Sequence, residues 1–109
     1  MTKKVELMSD DYVFNAAECL KLMGHPARIK IVDILSQGKF SVKEIAANCN
    51  LPANQTCEHL RLLKSHGLLV NERAGRTVYY QICSTQLLNL LNCIKHNCCL
   101  LADGKQNLE

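Results

Sequence analysis

The chain has 109 residues, of which 48% are hydrophobic and 21% are charged, and its formal net charge is +3. These values exclude a largely disordered chain and predict a single domain with one modest core. No apolar run approaches the roughly 18 residues that a membrane-spanning helix needs, and the N-terminus lacks an apolar signal region. We therefore expect a cytoplasmic protein without a membrane partner, whose seven cysteines are mostly reduced.

Helices are predicted for the first part of the chain. Apolar residues at helical spacing predict a helix over about 11–23, capped by Asp10 or Asp11. A second, central helix begins at Pro26 and ends near residues 37–38. The predicted divisions of the whole chain are a flexible arm at 1–10, a folded domain at 11–101 and a polar tail at 102–109.

A helix-turn-helix motif is predicted in the middle of the chain. Ser41 followed three residues later by Glu44 is a capping box, which opens a short helix over 42–49. Asn50 suits a left-handed helix exit, and after a tight turn a second helix covers about 53–66. Two helices joined by so short a turn are typical of DNA-binding domains.

A β-hairpin and a last helix follow this motif. Two runs rich in β-formers, at 68–73 and 76–82, flank a turn at 74–75 and predict the hairpin. A very short strand is predicted earlier, at 39–40, and the last helix is predicted over about 85–101.

The order of these elements, together with four motifs, resembles the ArsR/SmtB family of bacterial winged-helix repressors. The motifs are LMGHPARI at 22–29, FSVKEIA at 40–46, HLRLLKSHGLL at 59–69 and GRTVYY at 75–80. The resemblance covers about residues 12–101 and implies a mainly α winged helix-turn-helix fold with a β-hairpin wing, in the order α-α-α-α-β-β-α. It also implies a homodimer that represses an operon by binding double-stranded operator DNA until an inducer binds.

The resemblance further implies that the dimer is joined through the first and last helices. The apolar residues predicted at this interface are Val13, Ala17, Leu20, Leu87, Leu91 and Ile94. The sequence contains no nucleophile–base–acid grouping, no phosphate loop and no CxxC pair, so we do not expect an enzyme.

The helix over 53–66 is the predicted recognition helix. At about 100° per residue, an apolar face composed of Thr56, Leu60 and Leu63 turns the polar positions outward. Side chains near the start of such a helix reach base edges in the major groove, and arginines at the tip of a wing contact the backbone or the minor groove. The predicted DNA-binding residues are Asn54, Gln55, Cys57, Glu58, Arg61 and Lys64 in this helix, with Arg73 and Arg76 in the wing.

Two of these residues depart from the family pattern. Glu58 places a carboxylate where the family usually has a neutral or basic side chain. Either Arg61, three residues further on, neutralises this carboxylate, or the carboxylate accepts a hydrogen bond from cytosine N4. Cys57 stands where serine is usual, and it is either a serine substitute that faces the groove or an oxidisable thiol.

Cysteines near the dimer-forming helices are candidate inducer sensors. The predicted sensing residues are Cys19 in the first helix and Cys93, His96, Cys98 and Cys99 in the last helix. Cys93 and His96 are i,i+3 neighbours that can share an ion, whereas Cys93 and Cys99 lie about 9 Å apart along a helix axis. A site with three thiolates therefore requires the helix to fray near residue 97, or Cys19 of the partner subunit to take part.

Three interpretations of these thiols remain open. The adjacent pair Cys98-Cys99 resembles the pair that some family members use, with a third cysteine, to bind arsenite, and thiolates also suit a soft divalent metal. Cys98 also matches the last-helix cysteine of a redox- and sulfur-sensing branch, although Asp33 replaces the second thiol of that branch. The third interpretation is that the cysteines are small packing residues. In place of a repressor, the alternative class is a thiol-rich dimer module that acts through protein contacts.

Overall fold

Five helices and three strands make up residues 3–96, the part of the chain that the computed structural model describes. In chain order they are α1 (Asp10–Met23), α2 (Pro26–Leu35), β1 (Phe40–Ser41), α3 (Val42–Cys49), α4 (Ala53–Ser65), β2 (Leu69–Ala74), β3 (Thr77–Ile82) and α5 (Thr85–His96). The strands form one antiparallel sheet in the order β1-β3-β2, in which β2 and β3 are the hairpin. This is the predicted winged helix-turn-helix fold, and β1 lies one residue later than predicted.

The first helix begins at Asp10, one residue before the predicted domain boundary. Its N-cap is Ser9, whose Oγ accepts a hydrogen bond from the Tyr12 amide at 3.2 Å. Asp10 and Asp11 lie in the first turn instead, where their carboxylates stabilise the positive end of the helix dipole. The prediction of an aspartate cap was wrong because a serine one position earlier already reaches the free amide.

The second helix ends at Leu35, two residues before its predicted end. The Ser36 hydroxyl donates to the carbonyl oxygen of Asp33 at 2.6 Å, and Gly38 adopts φ 147°. A serine that bonds to a nearby carbonyl competes with helix continuation, and glycine adopts a positive φ at little cost. These two residues turn the chain toward β1.

The turn between α3 and α4 forms as predicted. The Glu44 amide donates to Ser41 Oγ at 3.1 Å, and the Ser41 amide donates to Glu44 Oε1 at 2.8 Å, which completes the capping box. Asn50 ends α3 in the left-handed region at φ 57°, and the Leu51 amide donates to the Ala46 carbonyl oxygen at 3.0 Å. This closure sets the angle at which α4 leaves α3.

The wing turn lies one residue later than predicted. Ala74 pairs with Thr77, so Gly75 and Arg76 form the tip of the hairpin. Gly75 adopts φ 66°, a conformation that two-residue hairpin turns require and that glycine accepts most easily. The correction matters for function because it places Arg76 on the tip itself and Arg73 within β2.

One hydrophobic cluster holds the elements together. Its members are Leu22, Met23, Ile31, Val32, Leu35, Ile45, Cys49, Leu60, Leu63, Leu69, Tyr80, Leu87 and Leu91. Helix α1 contributes two residues from its C-terminal end, so the rest of α1 lies outside the core. No helix within residues 3–96 is long and apolar enough to cross a membrane.

Candidate nucleic-acid interface

Helix α4 packs on the core through a single face. Thr56, Leu60 and Leu63 are fully buried, as predicted. The Thr56 hydroxyl is satisfied locally, because Oγ1 donates to the carbonyl oxygen of Pro52 at 3.0 Å. Burial of this face fixes the rotation of α4 about its own axis, so its opposite face is presented to solvent.

The solvent face of α4 carries most of the predicted DNA-binding residues. The exposed ones are Asn54, Gln55, Glu58, Arg61 and Lys64, and Cys57 is half-buried on the flank. Asn54 and Gln55 lie in the first turn, the end that reaches base edges in helix-turn-helix proteins. The structure therefore brings these residues onto one accessible helix surface, and their contact with DNA stays a prediction.

Glu58 is not paired with Arg61. The ion pairs within residues 3–96 are Lys21–Glu18, Lys39–Glu72 and Lys95–Asp33. The i,i+3 spacing permits a Glu58–Arg61 pair, but both side chains are exposed, and exposed pairs contribute only about 0–1 kcal/mol. Among the described residues, the Glu58 carboxylate therefore has no ion-pair partner.

The wing is anchored to the segment that precedes β1. Lys39 Nζ lies 3.2 Å from Glu72 Oε1 on β2 and 5.7 Å from the centre of the Tyr79 ring on β3. Both predicted wing residues, Arg73 and Arg76, are exposed. The wing therefore presents two guanidinium groups beside the helix-turn-helix motif.

A groove of about 820 Å³ separates the wing from α3 and the start of α4. Lys43, Glu44 and Ala53 line its helical side, and Arg76 and Tyr79 line its wing side. The Glu44 carboxylate is occupied by the capping box, whereas Lys43 is exposed. Sequence reasoning missed Lys43, because its position opposite Arg76 depends on how the wing folds against α3.

A network of three polar side chains ties α4 to the α1–α2 corner. Arg28 Nε donates to His59 Nδ1, and Arg28 Nη1 donates to the Leu22 carbonyl oxygen, each at 3.2 Å. His25 caps α2 by accepting from the Ala27 amide at 3.1 Å, and its ring meets that of His59 edge-on at 4.7 Å. The network gives both histidines structural roles.

The surroundings of His59 favour its neutral ring. Burial lowers the pKa of His59 most, His25 and Arg28 lower it further, and the Glu58 carboxylate acts in the opposite direction. A neutral ring accepts the Arg28 hydrogen bond at Nδ1, whereas an imidazolium offers no acceptor. The low pKa therefore maintains the bond that holds α4 against Arg28.

The predicted sensing residues are only partly placed by the structure. Cys93 and His96 are exposed on α5, Cys19 is half-buried on α1, and Cys98 and Cys99 lie outside the described residues. The His96 Nδ1–H donates to the Asn92 carbonyl oxygen at 2.9 Å, which leaves Nε2 available as a ligand. Within residues 3–96, no three histidine, cysteine, aspartate or glutamate side chains converge as a metal site.

Two other cysteines have structural surroundings. Cys49 is buried in the core, and burial raises the pKa of its thiol. Cys83 Sγ lies 3.4 Å from the Gly67 carbonyl oxygen, to which it donates. Packing therefore accounts for Cys49, whereas the exposed Cys83 is held by a hydrogen bond to the backbone.

Two residues predicted at the dimer interface lie in the core of the single chain. Leu87 and Leu91 are 1% and 2% exposed in the single chain, so the chain's own core covers their side chains, and their contact with a partner stays a prediction. They belong to the hydrophobic cluster that also includes residues of the other four helices and the sheet. Ile94, one turn further along α5, is half-buried.

The other predicted interface residues are accessible. Val13 and Leu20 are 47% and 60% exposed, and Ala17 is exposed as well. Tyr12 and Phe14, which sequence reasoning missed, are 67% and 65% exposed on either side of Val13. Their aromatic character on a surface helix was a signal for a contact surface, because large exposed apolar patches mark interfaces.

An ion pair that was not foreseen joins α5 to α2. Lys95 Nζ lies 3.2 Å from Asp33 Oδ1. Lys95 stands between Cys93 and His96 in the sequence, so the pair links the helix of the predicted sensor to the helix that packs against α3.

A helix-turn-helix motif with a solvent-facing polar helix, followed by an arginine-tipped hairpin, defines a winged helix-turn-helix domain. Residues 23–73 match a family model described as a helix-turn-helix domain. The transcriptional repressor SdpR of Bacillus subtilis is 31% identical over 72 residues, which are 66% of this chain and 80% of SdpR. The transcriptional repressor SmtB of Mycobacterium tuberculosis is 32% identical over 82 residues, which are 74% of this chain and 61% of SmtB.

The structural comparison agrees with these relatives. The homodimeric winged helix-turn-helix DNA-binding domain Mb0332 of Mycobacterium bovis, a possible ArsR-family regulator, matches with a TM-score of 0.73 and 26% identity. The match covers 86% of this chain and 90% of that domain. The chain therefore belongs to the ArsR/SmtB family of winged helix-turn-helix transcription regulators, which are not enzymes. It spans about three fifths of the length of its SmtB relatives, 64% and 61% of two of them.

Proposed function

We propose that this chain is a transcriptional repressor that binds double-stranded operator DNA as a homodimer. The observation that carries the proposal is the polar face of α4, which is turned away from the core by the burial of Thr56, Leu60 and Leu63. The relatives SdpR and SmtB are transcriptional repressors, which supports the same role here.

The proposed DNA-binding residues divide into amides that suit base edges and basic side chains that suit phosphate or guanine. Asn54 and Gln55 present amides that suit adenine edges, and Arg61 and Lys64 suit phosphate or guanine. Arg76 at the wing tip and Lys43 across the groove add positive charge where a DNA strand passes between wing and helix. Phosphate contacts position the domain, and the amides at the start of α4 read the sequence.

The homodimer is supported by the outer surface of α1. Four large apolar side chains there, Tyr12, Val13, Phe14 and Leu20, are each 47% or more exposed. Val13 and Leu22 are nine residues apart and so project from opposite sides of the helix, at about 100° per residue. Leu22 is buried in the chain's own core, so the side that carries Val13 is free for the partner. The structural neighbour Mb0332 is homodimeric, which supports a dimer here.

The direct test is binding to promoter duplexes at several salt concentrations. We expect sequence-preferring binding. A plot of the logarithm of the association constant against the logarithm of salt concentration should fall with a slope of roughly −0.9 per neutralised phosphate. Arg76→Ala should weaken binding to all duplexes and reduce the slope by about 1. Lys30→Ala, which removes an equal charge from α2, should leave the slope unchanged. Salt-insensitive binding, or none, would instead support the module that acts through protein contacts.

We further propose that an inducer releases the DNA by binding thiols of the last helix. Arsenite or a soft divalent metal fits this donor chemistry, because thiolates and imidazoles are the ligands that such ions prefer. Cys93 and the free Nε2 of His96 supply two donors in the described part of α5, and Cys98, Cys99 or Cys19 of the partner subunit complete the set. The Lys95–Asp33 ion pair connects α5 to α2, so a change in α5 on inducer binding can move α2 and the helix-turn-helix motif that packs against it.

Inducers of different chemistry test this second proposal. Operator release by arsenite, cadmium, zinc, peroxide and polysulfide is compared for the unmodified chain, Cys98→Ser and Cys99→Ser. We expect arsenite or cadmium to release the unmodified chain at concentrations at least about tenfold lower than the serine variants require. Cys83→Ser is the control, because the Cys83 thiol already donates a hydrogen bond to the Gly67 carbonyl oxygen. This variant should be released by the same inducer concentrations as the unmodified chain. Release by peroxide or polysulfide alone would favour sulfur sensing, and normal release of both variants by every compound would contradict a last-helix site.

A further inference from the structure

Glu58 lies near the centre of the solvent face of α4. Three fully buried residues, Thr56, Leu60 and Leu63, define the direction of the core. At about 100° per residue, Glu58 projects roughly 170° away from their mean direction. A helix that inserts into the major groove with this face therefore points Glu58 at the base edges.

Within residues 3–96, no cation forms an ion pair with this carboxylate. Burial, His25 and Arg28 lower the pKa of His59, and Glu58 raises it by the smallest of the four effects, so the neutral ring offers the carboxylate no positive charge. A lone carboxylate between two phosphate backbones weakens DNA binding unless the DNA itself donates a hydrogen bond to it.

The major groove offers two such base donors. Cytosine presents its N4 amino group, and adenine presents its N6 amino group next to the N7 acceptor. A carboxylate that accepts from adenine N6 is repelled by N7, whereas cytosine has no acceptor on its own major-groove edge. Guanine and thymine present acceptors at this position, which repel a carboxylate directly.

We propose that Glu58 is a specificity-determining residue that selects operators with a cytosine opposite the middle turn of α4 in each half-site. The inference rests on the proposed DNA-binding function. Selection works in two ways. A hydrogen bond from cytosine strengthens binding to sequences that contain it, and electrostatic repulsion weakens binding to sequences with a base that presents only acceptors. The carboxylate thus lowers binding to general DNA and leaves binding to the chosen sequence intact.

The test is selection from a randomised duplex library with the full chain and with Glu58→Gln. Glutamine retains the shape of the side chain and removes its charge, and Glu6→Gln in the N-terminal arm provides the same change of charge away from α4. We expect the unmodified chain and Glu6→Gln to enrich one motif with a cytosine in each half-site. We expect Glu58→Gln to lose that cytosine and to bind non-specific duplexes more tightly.

Competition binding then gives the size of the effect. Changing the selected cytosine to thymine should weaken the unmodified chain by about 5- to 100-fold and Glu58→Gln by less than about threefold. Enrichment of the same cytosine by Glu58→Gln, or selection of adenine by the unmodified chain, would overturn the role of Glu58 while leaving the repressor intact. Enrichment of no motif by the unmodified chain would refute the proposed function itself, so the two failures are distinguishable.

Discussion

Replacing Leu60 with alanine is expected to lower the free energy of unfolding by about 2–5 kcal/mol. Leu60 is fully buried at the point where α4 meets the core. Its truncation removes apolar contacts and leaves a cavity that the surrounding side chains fill only in part. Because α4 is also the helix proposed to read DNA, the same change should weaken operator binding.

Urea unfolding, followed by circular dichroism at one fixed protein concentration, measures this change. The concentration is held constant because association stabilises a dimer by mass action. Leu7→Ala is the matched control, since it deletes the same atoms from a side chain that is 87% exposed, and it should change stability by less than about 0.5 kcal/mol. Equal effects of the two variants would show that α4 does not pack through Leu60.

Replacing Leu20 with glutamate is expected to convert the dimer into a monomer. Leu20 is 60% exposed in the single chain, so the fold tolerates a charge there, but a dimer would bury that charge without a partner. A monomer loses the linkage between two half-sites, a linkage that typically multiplies affinity by about 10²–10⁴. Operator binding should therefore fall by a factor in that range.

Analytical ultracentrifugation and binding to duplexes with one or two half-sites separate the two effects. We expect Leu20→Glu to sediment as a monomer and to bind a single half-site as the unmodified chain does. Asn15→Glu places the same charge on α1, at an exposed position on the opposite side from Val13, and should remain dimeric. If Leu20→Glu stays dimeric, the dimer does not use this surface of α1.

The local features of the fold were predictable because they depend on neighbouring residues. The capping box of Ser41 and Glu44, the left-handed exit at Asn50 and the buried stripe of α4 all formed as predicted. The errors were shifts of one or two residues where two neighbours compete for one role. The N-cap of α1 is Ser9 and not Asp10, and the wing tip lies at 75–76 where 74–75 was predicted.

The candidate site was predictable in its residues but not in their partners. Spacing permitted the pairing of Glu58 with Arg61, yet the structure shows no such pair. Arg28 and His59 are 31 residues apart in sequence, and nothing in the spacing of either residue indicated their hydrogen bond. Lys43 and Arg76 likewise line one groove only because the wing folds beside α3.

By itself, the sequence determined that α1, α4 and α5 are amphipathic and that the chain is a winged helix-turn-helix protein. Only the tertiary structure decided what covers each apolar stripe. Leu87 and Leu91 are covered by the chain's own core, whereas Val13 and Leu20 remain exposed. The physical reason is that periodicity reports which residues share a helix face, but the covering surface comes from segments distant in sequence.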